Sequence, residues 1–268
     1  MLSVQEIRAF YKYAPIDIPS VWNLSRKHFR IKIFNNKFVK LNKFENRINS
    51  RELRGYCVKY APLHVYMSVL NWLFPERVGK RYKANYAVPI GGEYAIDVDS
   101  YFLSNWHEHQ YCSGSRKVCY ECIRISQALT IQACEKIEDY YSKIGVVFSG
   151  RRGFHIHVHD FDFNDWTHYN EKDPVKSHEV ARLKFSKAIS LNSFVFDHNH
   201  FILSVDPMRV LSVPSSLNAE TGLVCQYIGN RKVLEALSVR HIIENSNVTR
   251  FIYGCPELQR AMKYFATR

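Results

Sequence analysis

Val4, Ile7, Phe10 and Tyr11 recur at helical spacing and predict an amphipathic helix over residues 3–13. A hairpin is expected next, because Arg30–Phe34 and Phe38–Leu41 alternate and Asn35-Asn36 between them suits a tight turn. Ser50 reads as the cap of a short helix running to about Tyr60 and ended by Pro62. Alternation returns over His64–Trp72 and over Tyr94–Asp99, a strand that ends in carboxylates. A polar segment rich in Cys and His, residues 105–122, leads into a long predicted helix from about Tyr120 to Ile144. Gly145–Ser149 and Phe154–His159 read as two short strands around a tight Ser-Gly-Arg-Arg-Gly turn, and Val175–Ile189 as a helix. Phe194–Phe196 and Ile202–Val205 read as strands, and Asp206-Pro207 has the form of a helix cap followed by proline in the first turn. The last forty residues are mixed, and no internal repeat or low-complexity tract is present. The pattern predicts an α+β fold: a mainly antiparallel sheet core with flanking helices.

Composition narrows the class. The chain has 268 residues, 46% of them hydrophobic, enough for one large domain with a sizeable core and too apolar for a disordered segment. No apolar run approaches the roughly 18 residues of a membrane span. The charged start, Met1 to Tyr13, lacks a signal-peptide core, so a soluble intracellular protein with no membrane partner is expected. The net charge of +12 suits a polyanionic partner such as nucleic acid. Seven cysteines, unevenly spaced and with three of them within eleven residues, favour a metal site in a reducing compartment over a disulfide framework.

Three constellations carry chemistry. Asp97 and Asp99 lie two apart on a strand and so share a face. Neighbouring carboxylates repel unless a cation joins them, and hard divalent cations such as Mg²⁺ bind such pairs together with phosphate oxygens. A solvent-exposed strand end is the plainer reading. Ser149-Gly150-Arg151-Arg152-Gly153-Phe154-His155-Ile156-His157 joins two glycines, which allow close backbone approach to an anion, to two fork-shaped guanidinium donors and two histidines on one strand face. Phosphate binding is favoured there over a simple basic turn. His107, His109, Cys112, Cys119 and Cys122 form a ligand cluster in which Cys119-x2-Cys122 has zinc-knuckle spacing. Cys112 is the natural third ligand. The fourth is His109 or His107, with His109 preferred because it lies closer to Cys112. Four protein ligands make the Zn²⁺ site structural; free cysteines at a helix start are the alternative.

In order, the Asp-Val-Asp strand, the cysteine-rich insert, the long helix and Ser-Gly-Arg-Arg-Gly-x-His resemble the small catalytic subunit of archaeal and eukaryotic replicative DNA primase. The stretch Tyr111-Cys112-Ser113-Gly114 through Cys122 resembles the family's zinc element. The run from Arg209 to Asn218, closing in Thr221-Gly222, resembles its C-terminal motif, and Ser25-Arg26-Lys27-His28-Phe29 its Arg-Glu-Phe segment. The resemblance spans about residues 5–228. It implies a single catalytic domain over 1–268, with a zinc-binding insertion at 105–122 and a reduced helical subdomain at 161–193.

The resemblance further implies that Asp97 and Asp99 bind catalytic Mg²⁺ or Mn²⁺. Ser149, Arg151, Arg152 and His155, with Arg26, would hold the nucleoside triphosphate. A third metal-binding carboxylate is expected at Asp197. Ungapped alignment puts His200 there instead, and Asp206 matches another family aspartate. Ser212 and Asn218 stand where relatives carry a basic residue and a histidine, which bears on triphosphate affinity and sugar choice. The implied partners are single-stranded DNA template and a primase large subunit, separate or fused. Two rival readings are a primase-polymerase of a plasmid or repair system, using deoxynucleotides, and a non-enzymatic zinc-containing nucleic-acid-binding module.

Overall fold

The computed structural model describes residues 1–14, 16–42, 47–79, 84–99, 118–189 and 204–248. Local capping chemistry starts the first helices. At α1 (Val4–Tyr13), the Ser3 hydroxyl accepts from the Glu6 amide and the Glu6 carboxylate accepts from the Ser3 amide. This reciprocal pair satisfies two donors that a helix start leaves open. The second helix, α2 (Ser50–Tyr60), begins the same way, but its cap is Asn49 rather than Ser50. Glu52 stands three residues after Asn49, where the reciprocal bond needs a carboxylate. Ala61 ends the helix in the left-handed region, with φ 45°, just before Pro62.

The expected hairpin is present. Strands β1 (Phe29–Lys32) and β2 (Phe38–Lys40) pair with Arg30 opposite Lys40, and Asn36 in the turn takes φ 58°. On the other side of β1 lies β3 (His64–Ser68), and beyond it β9 (Val210–Ser212), giving an antiparallel sheet of order β2-β1-β3-β9. The alternating run His64–Trp72 is not one strand. It breaks at Val69, and β4 (Leu70–Trp72) pairs separately with β5 (Pro89–Gly92). Val69 is turned toward distant partners: its amide donates to the Arg209 carbonyl, and its own carbonyl accepts from the Lys27 ammonium and the Glu93 amide.

A second antiparallel sheet has the order β12-β7-β8-β6, formed by β6 (Tyr94–Asp99), β7 (Ile144–Phe148), β8 (Gly153–Val158) and β12 (Gln226–Gly229). The long helix α3 (Tyr120–Glu138) stops well before Ile144. The Asp160 carboxylate accepts from the Ser142 amide and hydroxyl and from the Lys143 amide, which fixes a turn leading into β7. Helix α4 (Pro174–Ala188) is capped by Asp173 with proline in its first turn. A small hairpin, β10 (Leu217–Asn218) and β11 (Leu223–Val224), precedes β12, followed by α5 (Arg231–Ala236) and α6 (Val239–Ser246). Ser204 and Val205 are helical rather than extended, and Asp206 accepts from the Met208 amide at 2.8 Å, capping a turn rather than a helix. The predicted strand Phe194–Phe196 and the first part of Ile202–Val205 lie outside the described residues.

Each large sheet is backed by helices. Ile96, Val98, Phe148, Phe154 and Ile156 of the second sheet pack against Ile123, Cys134 and Ile137 of α3 and Ala181 and Phe185 of α4. Phe29, Ile31, Val65 and Met67 of the first sheet pack against Ile7, Phe10 and Tyr11 of α1 and Leu53 and Cys57 of α2. The result is a mixed α/β architecture with antiparallel sheets and flanking helices, as the hydrophobic pattern predicts. No helix among the described residues is long and apolar enough to cross a membrane.

Gly153 sets the closest approach of β8 to β6: a Cβ there would stand 2.1 Å from the Val98 carbonyl oxygen and 3.0 Å from Asp99 Cα. Gly153→Ala therefore forces two paired backbones apart. The expected cost is about 1–3 kcal/mol, read as a drop of roughly 2–12 °C in the thermal unfolding midpoint for a chain of this size.

Candidate active site

The alternation of β6 decides where its carboxylates go. Tyr94, Ile96 and Val98 face the helices and are buried, so Asp97 and Asp99 project from the opposite face. Strand β8 lies beside β6 with His155 opposite Asp97 and Gly153 opposite Asp99. Directly opposed residues of an antiparallel pair share a face, so the register sets both carboxylates against the basic turn that opens β8. Their side chains remain 20% and 29% exposed, open enough to meet a ligand.

That turn is tightly built. The Ser149 amide donates to the Gly153 carbonyl at 3.0 Å, and the Ser149 hydroxyl accepts from the Gly153 amide at 3.4 Å. Gly150 takes φ 77° and lies against Asn218, Leu223 and Cys225, where a Cβ would be crowded at 3.2–3.3 Å. Arg152 Nε lies 3.3 Å from the Asp99 carboxylate. His155 Nε2 lies 3.6 Å from Asp97, and its Nδ1 is buried with no hydrogen-bond partner among the described residues. Burial lowers the His155 pKa to about 4 against the attraction of Asp97, so the ring is neutral near pH 7.

Two further groups join the site from the C-terminal motif. Arg209, just before β9, donates to the Asp97 carboxylate. Glu220, in the turn between β10 and β11, accepts Lys32 at 3.2 Å and lies 3.8 Å from Arg151. Its neighbour Thr221 donates its hydroxyl to the Gly150 carbonyl at 2.7 Å. Residues 220 and 221 therefore grip the basic turn from the opposite side. Burial pushes the Glu220 carboxyl up, but His64, Lys32 and Arg151 outweigh it and hold the pKa below the ordinary value. His64, 3.6 Å from Glu220, is itself lowered to about 4 by burial.

At the other end of β6, Glu93 is 4% exposed and accepts from Trp22 Nε1 at 2.7 Å. Lys27 Nζ lies 3.3 Å from it, and one ring nitrogen each of His157 and His159 lies 3.2 Å away. Burial raises the Glu93 pKa, yet Lys27 and His157 hold it well below the usual carboxylate range. A cavity of about 420 Å³ opens beside this cluster.

Of the residues singled out by sequence, Asp97, Asp99, Ser149, Arg151, Arg152 and His155 gather at one place. Arg26 is held by the Leu73 carbonyl at 3.3 Å, next to Lys27 of the Glu93 cluster. Cys119 caps α3 and Cys122 sits buried in its first turn, so the two thiols are one helical turn apart. His107, His109, Cys112, Asp197 and His200 lie outside the described residues. Asp206 sits near enough to Arg182 to bear on its charge. Arg209, Glu220, Thr221 and Glu93 were not singled out as site residues. Arg209 and Thr221 fall at the two ends of the C-terminal motif, whereas the two glutamates carry no local signal.

No family model matches the chain. Curated relatives do. The DNA primase small subunit PriS of Sulfolobus acidocaldarius is 24% identical over 262 residues, covering 85% of this chain and 76% of that protein. The proteins of the same name from Pyrobaculum arsenaticum and Pyrobaculum calidifontis are 26% and 25% identical, covering 92% and 89% of this chain and 83% and 81% of theirs. Among solved structures, the polymerase domain from Mycobacterium tuberculosis Ligase D in complex with DNA aligns with a TM-score of 0.48 and 10% identity, over 90% of this chain and 86% of that one. By sequence, the chain is thus similar to archaeal DNA primases. In particular it is similar, over most of its length, to the primase small subunit.

Buried neutral histidines give the fold an acid-sensitive side. His155 and His64 titrate near 4, and His28 near 3, against 6.5 for the free side chain. The unfolded chain therefore binds more protons as pH falls from 6.5 toward 4, and stability is lost across that window. The denaturant midpoint is expected to be lower at about pH 5 than at about pH 7.5, and His28→Gln, which cannot take up a proton, is expected to flatten the difference.

Proposed function

We propose that the protein is the catalytic subunit of a DNA primase, joining nucleotides on a single-stranded DNA template by metal-dependent nucleotidyl transfer. The observation that carries this reading is the β6–β8 register, which sets Asp97 and Asp99 against the Ser149–Gly153 turn. The names of the relatives supply the reaction class, and the geometry is consistent with it.

The residues fit both ligands of such a reaction. Asp97 and Asp99 are a hard oxygen donor pair, partly exposed and balanced by Arg209 and Arg152, and they suit Mg²⁺ or Mn²⁺. When bound, such a cation supplies positive charge at the reacting phosphate. Arg151 and Arg152 offer guanidinium forks to the triphosphate. The Gly150 turn lets the backbone come close, and the unpartnered Nδ1 of His155 is a further polar contact. The 3′-hydroxyl of one nucleotide attacks the α-phosphorus of the next and pyrophosphate departs. The chain's own contribution is to orient and to neutralise. Ser212 stands opposite Tyr66 on β9 and Asn218 lies buried against Gly150, and on this reading the two departures from the family motif bear on triphosphate affinity or sugar choice. A large subunit is the expected partner. Cys119 and Cys122, with Cys112 and His109, are the proposed zinc ligands, and about one zinc per chain in freshly purified protein is the expected result of metal analysis.

Primer synthesis on single-stranded DNA with Mg²⁺ or Mn²⁺ tests the reading. Wild type is expected to give product and Asp97→Ala/Asp99→Ala none, with DNA binding retained by both. Equal synthesis by the two would remove the carboxylates from the chemistry. Arg152→Ala is expected to weaken triphosphate affinity by about tenfold or more, the scale of one charge-assisted hydrogen bond. Ribo- and deoxynucleotides compared in the same assay separate a primase from a primase-polymerase.

A further inference from the structure

The sheet β2-β1-β3-β9 has one face packed on α1 and α2, and the other face bears an unusual set of side chains. Phe29, Ile31, Val65 and Met67 point inward, so Arg30, Lys32, His64 and Tyr66 point outward with Phe38 and Lys40 of β2. The register arranges them in two rows: Lys40, Arg30, Tyr66 and Ser212 in one, Phe38, Lys32 and His64 in the next. Three rings form a line across these rows. Phe38 and Tyr66 have centroids 6.0 Å apart, and Tyr66 and His64 5.9 Å. Phe38 stands at the open edge with 56% of its surface exposed.

Two of the cations beside these rings, Arg30 and Lys40, donate to uncharged acceptors, whereas Lys32 pairs with Glu220. Arg30 Nε donates to His28 Nε2 at 2.9 Å, and the His28 ring is neutral at ordinary pH. Lys40 donates to the Glu76 carbonyl, while the Glu76 carboxylate lies 3.9 Å from Arg77. Arg30 thus faces a neutral ring, and Lys40 a backbone carbonyl with the Glu76 carboxylate close enough to act on its charge. The face also runs into the candidate active site. Tyr66 stands opposite Ser212, and its hydroxyl is influenced by Glu220, Arg151, Asp97 and Arg209 together.

We propose that this face is a platform for single-stranded nucleic acid, with a base stacked on Phe38 beside Tyr66 and the adjoining phosphates held by Arg30 and Lys40. Positive charge beside an exposed aromatic ring that continues into partly buried ones, on a sheet, is an arrangement that binds a strand without reading its sequence, because every base has a π-face. A protein partner would cover the same ring but has no need of two fixed cations beside it. The proposal rests on the primase reading and goes beyond it by placing the polynucleotide, as distinct from the incoming triphosphate, on β1, β2 and β3.

The test is a fluorescence anisotropy titration of a labelled oligodeoxythymidylate, with triphosphate affinity measured on the same samples. Phe38→Leu is expected to weaken oligonucleotide binding by about tenfold, as for the loss of one stacked base. Phe38→Tyr, which keeps a ring, is expected to retain it. Lys40→Gln is expected to lower the slope of log affinity against log salt by about 0.7, one phosphate contact to a single strand. Phe38 is exposed, so thermal unfolding of its variants should match wild type and exclude a folding defect. Unchanged oligonucleotide affinity in Phe38→Leu and an unchanged salt slope in Lys40→Gln, with triphosphate binding intact, would overturn this proposal alone and favour a protein partner at Phe38. A wild type that binds neither oligonucleotide nor triphosphate would overturn the primase reading, and this platform with it.

Discussion

Glu93 is a buried carboxylate on which much of the molecule converges. It sits between β5 and β6, and around it gather Trp22 and Lys27 from the segment before β1, and His157 and His159 from β8 and its end. Its backbone carbonyl accepts the buried Arg182 of α4, and its amide donates to Val69 at the break between β3 and β4. One residue thus ties both large sheets, the small ribbon and a helix. Such a charge is tolerated inside a protein only when its partners are in place, because an unpaired buried ion costs several kcal/mol. The cluster fixes how β6 enters the sheet, and β6 carries the two candidate metal-binding aspartates.

From that anchor the site follows by counting along strands. Glu93 precedes a six-residue strand whose inward positions are apolar, so Asp97 and Asp99 emerge on the outer face. The absence of a side chain at Gly153 lets β8 lie close enough for its turn to meet them. The C-terminal motif then closes over this turn through Thr221 and reaches Asp97 through Arg209. Residues 97–99, the 149–155 turn and strand, and residues 209–221 thereby become one cluster.

What was legible in the sequence was what is encoded locally. Alternation in β6 and the glycines of the 149–153 turn gave the central site, because strand periodicity and backbone freedom act over a few residues. The C-terminus of α3 was misplaced because Tyr140, Tyr141 and Ile144 continue an apolar spacing. The chain is turned instead by Asp160, a contact made seventeen to eighteen residues away. Within His64–Trp72 the alternation changes phase at the adjacent apolar pair Val69-Leu70, and the break there is held by Lys27, Glu93 and Arg209. Glu220 has no signature of its own, since its meaning lies in Lys32, which stands 188 residues earlier. Residues whose role is defined by a distant partner are the ones a linear reading misses.

In the structure as described, each arginine of the candidate site faces a carboxylate of the chain itself: Arg209 with Asp97, Arg152 with Asp99, Arg151 with Glu220. On the proposed function, binding is then an exchange of partners. A cation arriving alone would meet acids already satisfied by arginine, and a triphosphate arriving alone would meet arginines already satisfied by acid. Only a nucleotide that carries its own counter-ion can relieve both sides at once. On that proposal the resting site would favour the metal–nucleotide complex over either component.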